Sequence, residues 1–276
     1  MGEENYEQLS IDRINKILMS ARFASCSYES VESLKQLQKE VEQEKLGHRP
    51  HNDSFIRNEQ KMLFRRFENI KFKHIRDDDT SADAIIFLAT EKDIRDLGSN
   101  QKPKTFIVIG VAGTYELGDV AQDLKVFQTN FEDTDAKVHS GFYAQFKALK
   151  VRVESILQII LKDNSVDEII ITGHSLGGAV SAMIKEHLRV RVTKDPITKV
   201  PPLFYWFRHT CENDSAEDFP ITDDSIFSIP THSCVNYIDE LKKIKGGVTR
   251  RKFRFARRNA KHFTAFHEMS ALERIR

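Results

Sequence analysis

The chain has 276 residues, of which 40% are hydrophobic and 30% charged, the balance of a folded, water-facing domain rather than a membrane bundle or a disordered tail. Its net charge of +1 excludes a global field that would draw nucleic acid or an acidic partner. The three cysteines, Cys26, Cys211 and Cys234, are odd in number and widely spaced, which provides neither a disulfide framework nor a metal-ligand pattern.

In chain order, the start Met1-Gly-Glu-Glu-Asn-Tyr6 lacks the basic flank and apolar run of a signal peptide. No stretch reaches the roughly 18 apolar residues of a membrane span. The expectation is an intracellular, cytoplasmic chain. Residues 8–45 read as helical, with Leu9, Ile11, Ile14, Ile17 and Leu18 near helical spacing and an exposed, mostly charged or amide stretch from Ser30 to Lys45. Residues 47–54 are a loop by composition, and Glu59–Glu68 reads as a short helix.

Strand signals follow. Residues 83–90 are apolar between polar flanks, and residues 105–113 form a near-continuous apolar run, as in a strand buried on both faces. Ser140 to Lys162 carries Phe142, Phe146, Leu149, Val153, Ile156, Leu157 and Ile160 in one helical stripe. Residues 166–172 are another apolar strand, and a helix is expected from there to about Arg189. Strands alternating with helices predict a central, mostly parallel sheet with helices on both faces. Beyond Arg191 the pattern weakens. Leu203–Phe207 is a candidate strand, Glu212–Asp224 reads as an acidic loop, and Cys234-Val-Asn-Tyr237 suggests a further strand.

The segment richest in chemistry is Gly173-His174-Ser175-Leu176-Gly177, a G-x-S-x-G set between an apolar strand and a helix. Such an elbow forces Ser175 into a strained backbone conformation, and small residues at Gly173, Gly177, Gly178, Ala179 and Ala182 let the chain pack closely. The helix N-terminus aims free N–H groups, Leu176 first, at the place where an oxyanion would form. The bland alternative is a glycine-rich turn carrying an idle serine.

Gly-His-Ser-Leu-Gly-Gly-Ala resembles the class 3, fungal-type lipase family. Three upstream segments agree in order and spacing: Gly113-Thr114, then Asp119 with Asp123-Leu124, then Val138-His139-Ser140-Gly141-Phe142. The likeness covers roughly residues 83–190. It implies a single α/β-hydrolase domain over 1–276, with residues 1–75 an N-terminal helical segment packed on it. It also implies a serine-dependent lipase or esterase working without metal or organic cofactor, on a lipid or other small ester. A second oxyanion donor falls on Thr114. Asp239, in Val-Asn-Tyr-Ile-Asp, resembles the family's acid, with Asp223 and Asp224 as alternatives. His267, in His-Glu-Met-Ser-Ala-Leu, resembles its base, with His262 as the alternative. Ala112 stands where the family has Arg, and Trp206-Phe207-Arg208-His209-Thr210 replaces its Phe-Gly-x-Pro.

Between Lys242 and Lys261 lie ten Lys or Arg and no acidic residue. This run reads as a solvated edge hairpin or as a surface for anionic membranes that makes the protein peripheral to them; nucleic acid is the least favoured partner. Two rival readings stay open beside the hydrolase: a lipase-like protein that binds or regulates without catalysis, and an adaptor acting through the basic run.

Overall fold

The computed structural model describes residues 11–46, 53–92, 102–113, 128–132, 137–184, 188–192, 217–221 and 233–245. Three helices open it: α1 (Ile11–Cys26), α2 (Val31–Lys45) and α3 (Phe55–Arg66). Ser30 and Ser54 cap α2 and α3, each accepting a hydrogen bond from the backbone N–H three residues on. The chain then enters β1 (Phe67–Asp77), β2 (Ala82–Glu91) and β3 (Thr105–Val111). A short hairpin, β4 (Gln128–Asn130) with β5 (Lys137–His139), leads into the long helix α4 (Ser140–Asp163). Then come β6 (Glu168–Gly173), α5 (Leu176–Ile184), β7 (Leu188–Val192), β8 (Glu217–Ile221) and α6 (Cys234–Lys245).

The main sheet has the order β1-β2-β3-β6. Pairs β1–β2 and β2–β3 are antiparallel and β3–β6 is parallel, so among the described strands this sheet is mixed rather than mostly parallel. The 78–81 turn is too tight for a crossover and returns the chain antiparallel, whereas α4 provides the crossover that brings β6 in parallel to β3. Strands β7 and β8 pair in parallel as a separate two-stranded sheet.

Alternation along the strands builds two cores. Ile85, Phe87, Ala89, Phe106 and Val108 face one way and pack with Met19, Phe23 and Cys26 of α1, Leu34, Leu37 and Val41 of α2 and Leu63 of α3. Ala84, Ile86, Leu88, Ile107, Ile109 and Val111 face the other way and meet Phe146, Leu149, Val153 and Ile156 of α4 and Val180 of α5. The sheet is therefore covered by helices on both faces, and α1 approaches so closely that a Cβ on Gly110 would lie 3.2 Å from the Phe23 carbonyl oxygen.

Several expectations need correction. The segment 1–75 is not helical throughout, because β1 begins at Phe67 and is the outermost strand of the main sheet as described. The helix after the elbow does not run to Arg189, since β7 begins at Leu188. Part of the acidic loop 212–224 is the strand β8. Cys234 to Tyr237 opens a helix, not a strand, because Ile238 and Leu241 supply a buried stripe at helical spacing. The candidate strand 203–207 lies outside the described residues. Among those residues no helix is long and apolar enough to cross a membrane.

The N-terminal helices are bound together by charge. Lys61 of α3 is fully buried, and its ammonium meets Glu44 at 2.9 Å, Glu40 at 3.1 Å and also Asp53. Burial alone would favour the neutral amine, but hydrogen bonds to the three carboxylates outweigh it and raise the lysine above its ordinary range. Farther along, Glu59 receives Arg22 of α1 at 2.7 Å and Lys242 of α6 at 2.5 Å, which joins α1, α3 and α6 on one carboxylate.

Candidate active site

Ser175 sits between the end of β6 and the start of α5 with φ 59°. This is the left-handed region, which for an L-residue costs about 1–2 kcal/mol and persists only where neighbours enforce it. The neighbours do so by contact. A Cβ on Gly177 would run into the Val111 carbonyl oxygen, and one on Gly173 into the Gly177 backbone. Only glycine at both places lets α5 turn back across the ends of β3 and β6. The Ser175 carbonyl accepts from Gly178 N–H at 3.0 Å and so starts the helix, while Leu176 N–H stays in the first turn, free of the intrahelical ladder. The Ser175 Oγ is shut off from solvent and has no hydrogen-bond partner among the described residues.

His174 braces this turn. Its Nδ1 lies 2.9 Å from the Tyr28 hydroxyl, and the same hydroxyl donates to the His174 carbonyl oxygen at 3.3 Å. The Tyr237 ring of α6 meets the imidazole edge-on, with centroids 5.8 Å apart. The end of β3 closes against the same group: a Cβ on Gly113 would lie 2.6 Å from the Tyr28 Oη, 2.7 Å from the His174 carbonyl oxygen and 2.9 Å from the Ser175 Cβ. Sequence reasoning did not find Tyr28 or Tyr237 at this turn. No local pattern points to them; Tyr28 is 146 residues away from its partner.

The other expected residues divide. Leu176 is the first residue of α5. Thr114, His267 and the alternatives His262, Asp223 and Asp224 lie outside the described residues. Asp239 is within α6, not at the end of a strand as expected, and it leaves the helix about 160° round from Tyr237, the residue that meets His174. His139 explains its motif differently: it is buried at the N-terminus of α4, its ring packs on Phe142 at 4.4 Å, and a Cβ on Gly141 would lie 3.2 Å from that ring. It supports the hairpin rather than the chemistry. The two described thiols are poor rival nucleophiles, since burial pushes Cys234 up to about 12 and Cys26 higher still. Among the described residues no group of His, Cys, Asp or Glu is arranged to hold a metal ion.

The chain is similar to known proteins. Residues 108–201 match the model of the class 3 lipase family. No curated protein matches the chain. Among solved structures, a triacylglycerol lipase described as having a serine protease triad for its catalytic centre is similar with a TM-score of 0.53 and 15% identity, over 77% of this chain and 82% of that one. The lipase of Rhizopus microsporus var. chinensis gives 0.52 and 15%, over 78% and 77%. The Rhizomucor miehei lipase in complex with its propeptide gives 0.51 and 16%, over 83% and 76%. At these identities the structures show the fold, which is that of the α/β-hydrolases. The family match adds support for a carboxylic-ester hydrolase.

Proposed function

We propose, from a central segment that is that of a class 3 lipase, that this chain hydrolyses carboxylic esters, lipid esters first among them, through Ser175. The observation that carries the reading is the backbone of Ser175 itself: φ 59° at a strand-to-helix turn, enforced by two glycines that no larger residue could replace. A serine held this way presents its hydroxyl above the first N–H groups of a helix, the geometry that acyl transfer uses.

In this reading Ser175 attacks the ester carbonyl while His267 accepts its proton and then gives it to the leaving alcohol. Asp239 holds His267 in the useful tautomer. The N–H groups of Leu176 and Thr114 receive the developing oxyanion, and water releases the acyl group. No cofactor enters these steps. The reading includes a cytoplasmic chain that meets anionic membrane surfaces through the Lys242–Lys261 run. Lys242 itself is spoken for, since it pairs with Glu59 and lies 5.0 Å over the Phe55 ring.

The test is turnover of a p-nitrophenyl ester series, from short to long acyl chains, by the native protein and by Ser175→Ala. Turnover that disappears in the variant is the expected result. A well-folded native protein that turns over neither these esters nor emulsified lipid would sink the catalytic reading in favour of a lipase-like binding module.

A further inference from the structure

We propose that Tyr28, from the turn that ends α1, is a positioning residue of the ester-hydrolysing site, acting through His174 on both Ser175 and the end of β3. The inference rests on the hydrolase reading above.

One hydroxyl has one proton, yet Tyr28 Oη touches two groups of the same residue, Nδ1 at 2.9 Å and the carbonyl oxygen at 3.3 Å. Both contacts become hydrogen bonds in one arrangement: the His174 Nδ1–H donates to Tyr28 Oη, and the Tyr28 O–H donates to the His174 carbonyl. That closes a ring from the imidazole through the phenol to the peptide that precedes Ser175. The peptide plane between His174 and Ser175 is thereby locked on the side where it must supply φ 59°. Tyr28 thus offsets strain at the residue that stores it.

The same oxygen also governs β3. Gly113 lies against Tyr28 Oη, the His174 carbonyl and the Ser175 Cβ so closely that no side chain would fit. The hydroxyl is therefore a spacer between the nucleophile turn and the strand end that leads into Thr114. Tyr237 of α6 also meets the imidazole edge-on, so the ring is held by contacts from both α6 and the turn that carries Tyr28. Shifts of a fraction of an ångström between nucleophile and oxyanion donors are costly in rate, and a misplacement of about 1 Å costs on the order of 10²-fold.

The experiment compares the native protein with Tyr28→Phe, which removes one oxygen and keeps the ring. On a short p-nitrophenyl ester, kcat should fall between about 10-fold and 10²-fold while KM stays within about twofold. In protein labelled with ¹⁵N-histidine, one slowly exchanging Nδ1–H signal should be present in the native form and absent in the variant. Should Tyr28→Phe fail to fold, 3-fluorotyrosine at position 28 keeps the shape and makes the hydroxyl more acidic. The alkaline limb of the kcat profile should then move to lower pH, since a phenolate cannot donate to the His174 carbonyl. An active native protein whose Tyr28→Phe form has unchanged kcat, or a fluorinated form with an unmoved profile, would overturn the positioning role alone. An inert native protein would overturn the hydrolase reading and this inference with it, and the histidine signal would still report the bond itself.

Discussion

Ser175 offers a way to weigh strain against chemistry in one residue. Replacing it with alanine or with glycine removes the hydroxyl in both cases, so the two variants differ in backbone preference and in one methyl group. At φ 59° an L-residue costs about 1–2 kcal/mol, whereas glycine adopts this region freely and loses roughly 0.5–1 kcal/mol to the greater freedom of its unfolded chain. Glycine should therefore be the more stable by about 1 kcal/mol, the difference of those two terms. In a chain of this length that corresponds to a melting temperature higher by about 2–4 °C. The assay is thermal melting of the two variants side by side, backed by urea titration. Both variants should lose hydrolysis by on the order of 10³-fold or more. A glycine variant that melts at or below the alanine variant would refute the claim that the elbow stores backbone strain at this position.

Further outcomes follow from the packing and the charges. Phe87 is buried and packs on Phe23 at 5.0 Å between centroids, so Phe87→Ala should cost about 3–5 kcal/mol in urea unfolding; a loss under 1 kcal/mol would mean that this core collapses around the gap. Lys61→Met leaves Glu40, Glu44 and Asp53 without their shared cation and should destabilise the protein by about 3–5 kcal/mol at neutral pH; an unchanged urea midpoint would show that the cluster contributes nothing. Hydrogen bonds from Arg57, with Lys61 and Gln36 assisting, hold Glu40 down at about 2 against an ordinary 4.5. A depressed carboxylate stabilises the fold above its unfolded value, so this contribution should be present above pH 4.5 and be lost as pH falls toward 2. Glu40→Gln should flatten the stability profile in that window, and an unchanged profile would exclude Glu40 as its source. Because the Ser175 Oγ has no exposed surface, a fluorophosphonate probe should label it slowly in plain buffer and faster with lipid micelles; equal rates would show that no opening is needed.

The parts legible in the sequence were those whose environment is uniform along the segment. Strands β3 and β6 are buried on both faces and so read as unbroken apolar runs, and α4 carries its stripe over many turns. The elbow was legible because its glycines are dictated by backbone collisions a few residues away. Strand β1 was not, because its exposed face puts Glu68, Lys71, Lys73 and Arg76 among its few buried residues. A register shift between Glu68 and Lys71, with Asn69 at φ 53°, also breaks its period of two. Helix α6 was misread since Val235, Tyr237 and Ile238 favour strands locally, whereas the element packs on α1 and buries Ile238 and Leu241. Tyr28 and Tyr237 were invisible for a related reason: their chemistry exists only in contacts across the fold. Of the site itself, Ser175 and Leu176 stand where the motif put them, Asp239 stands on an unexpected element, and Thr114 and His267 fall outside the described residues.

The single carboxylate of Glu59 that takes both Arg22 and Lys242 has a consequence for biosynthesis. Its second partner lies 183 residues downstream. At the usual pace of about 5–20 residues per second, Glu59 is made roughly 10–40 s before Lys242. During that interval the α1–α3 layer has no α6 to close it, and Tyr237 is not yet present to shut His174 in. The nascent chain must therefore keep an apolar helical layer from sticking to its neighbours, and the turn at Ser175 is braced from α6 only once Tyr237 has been made.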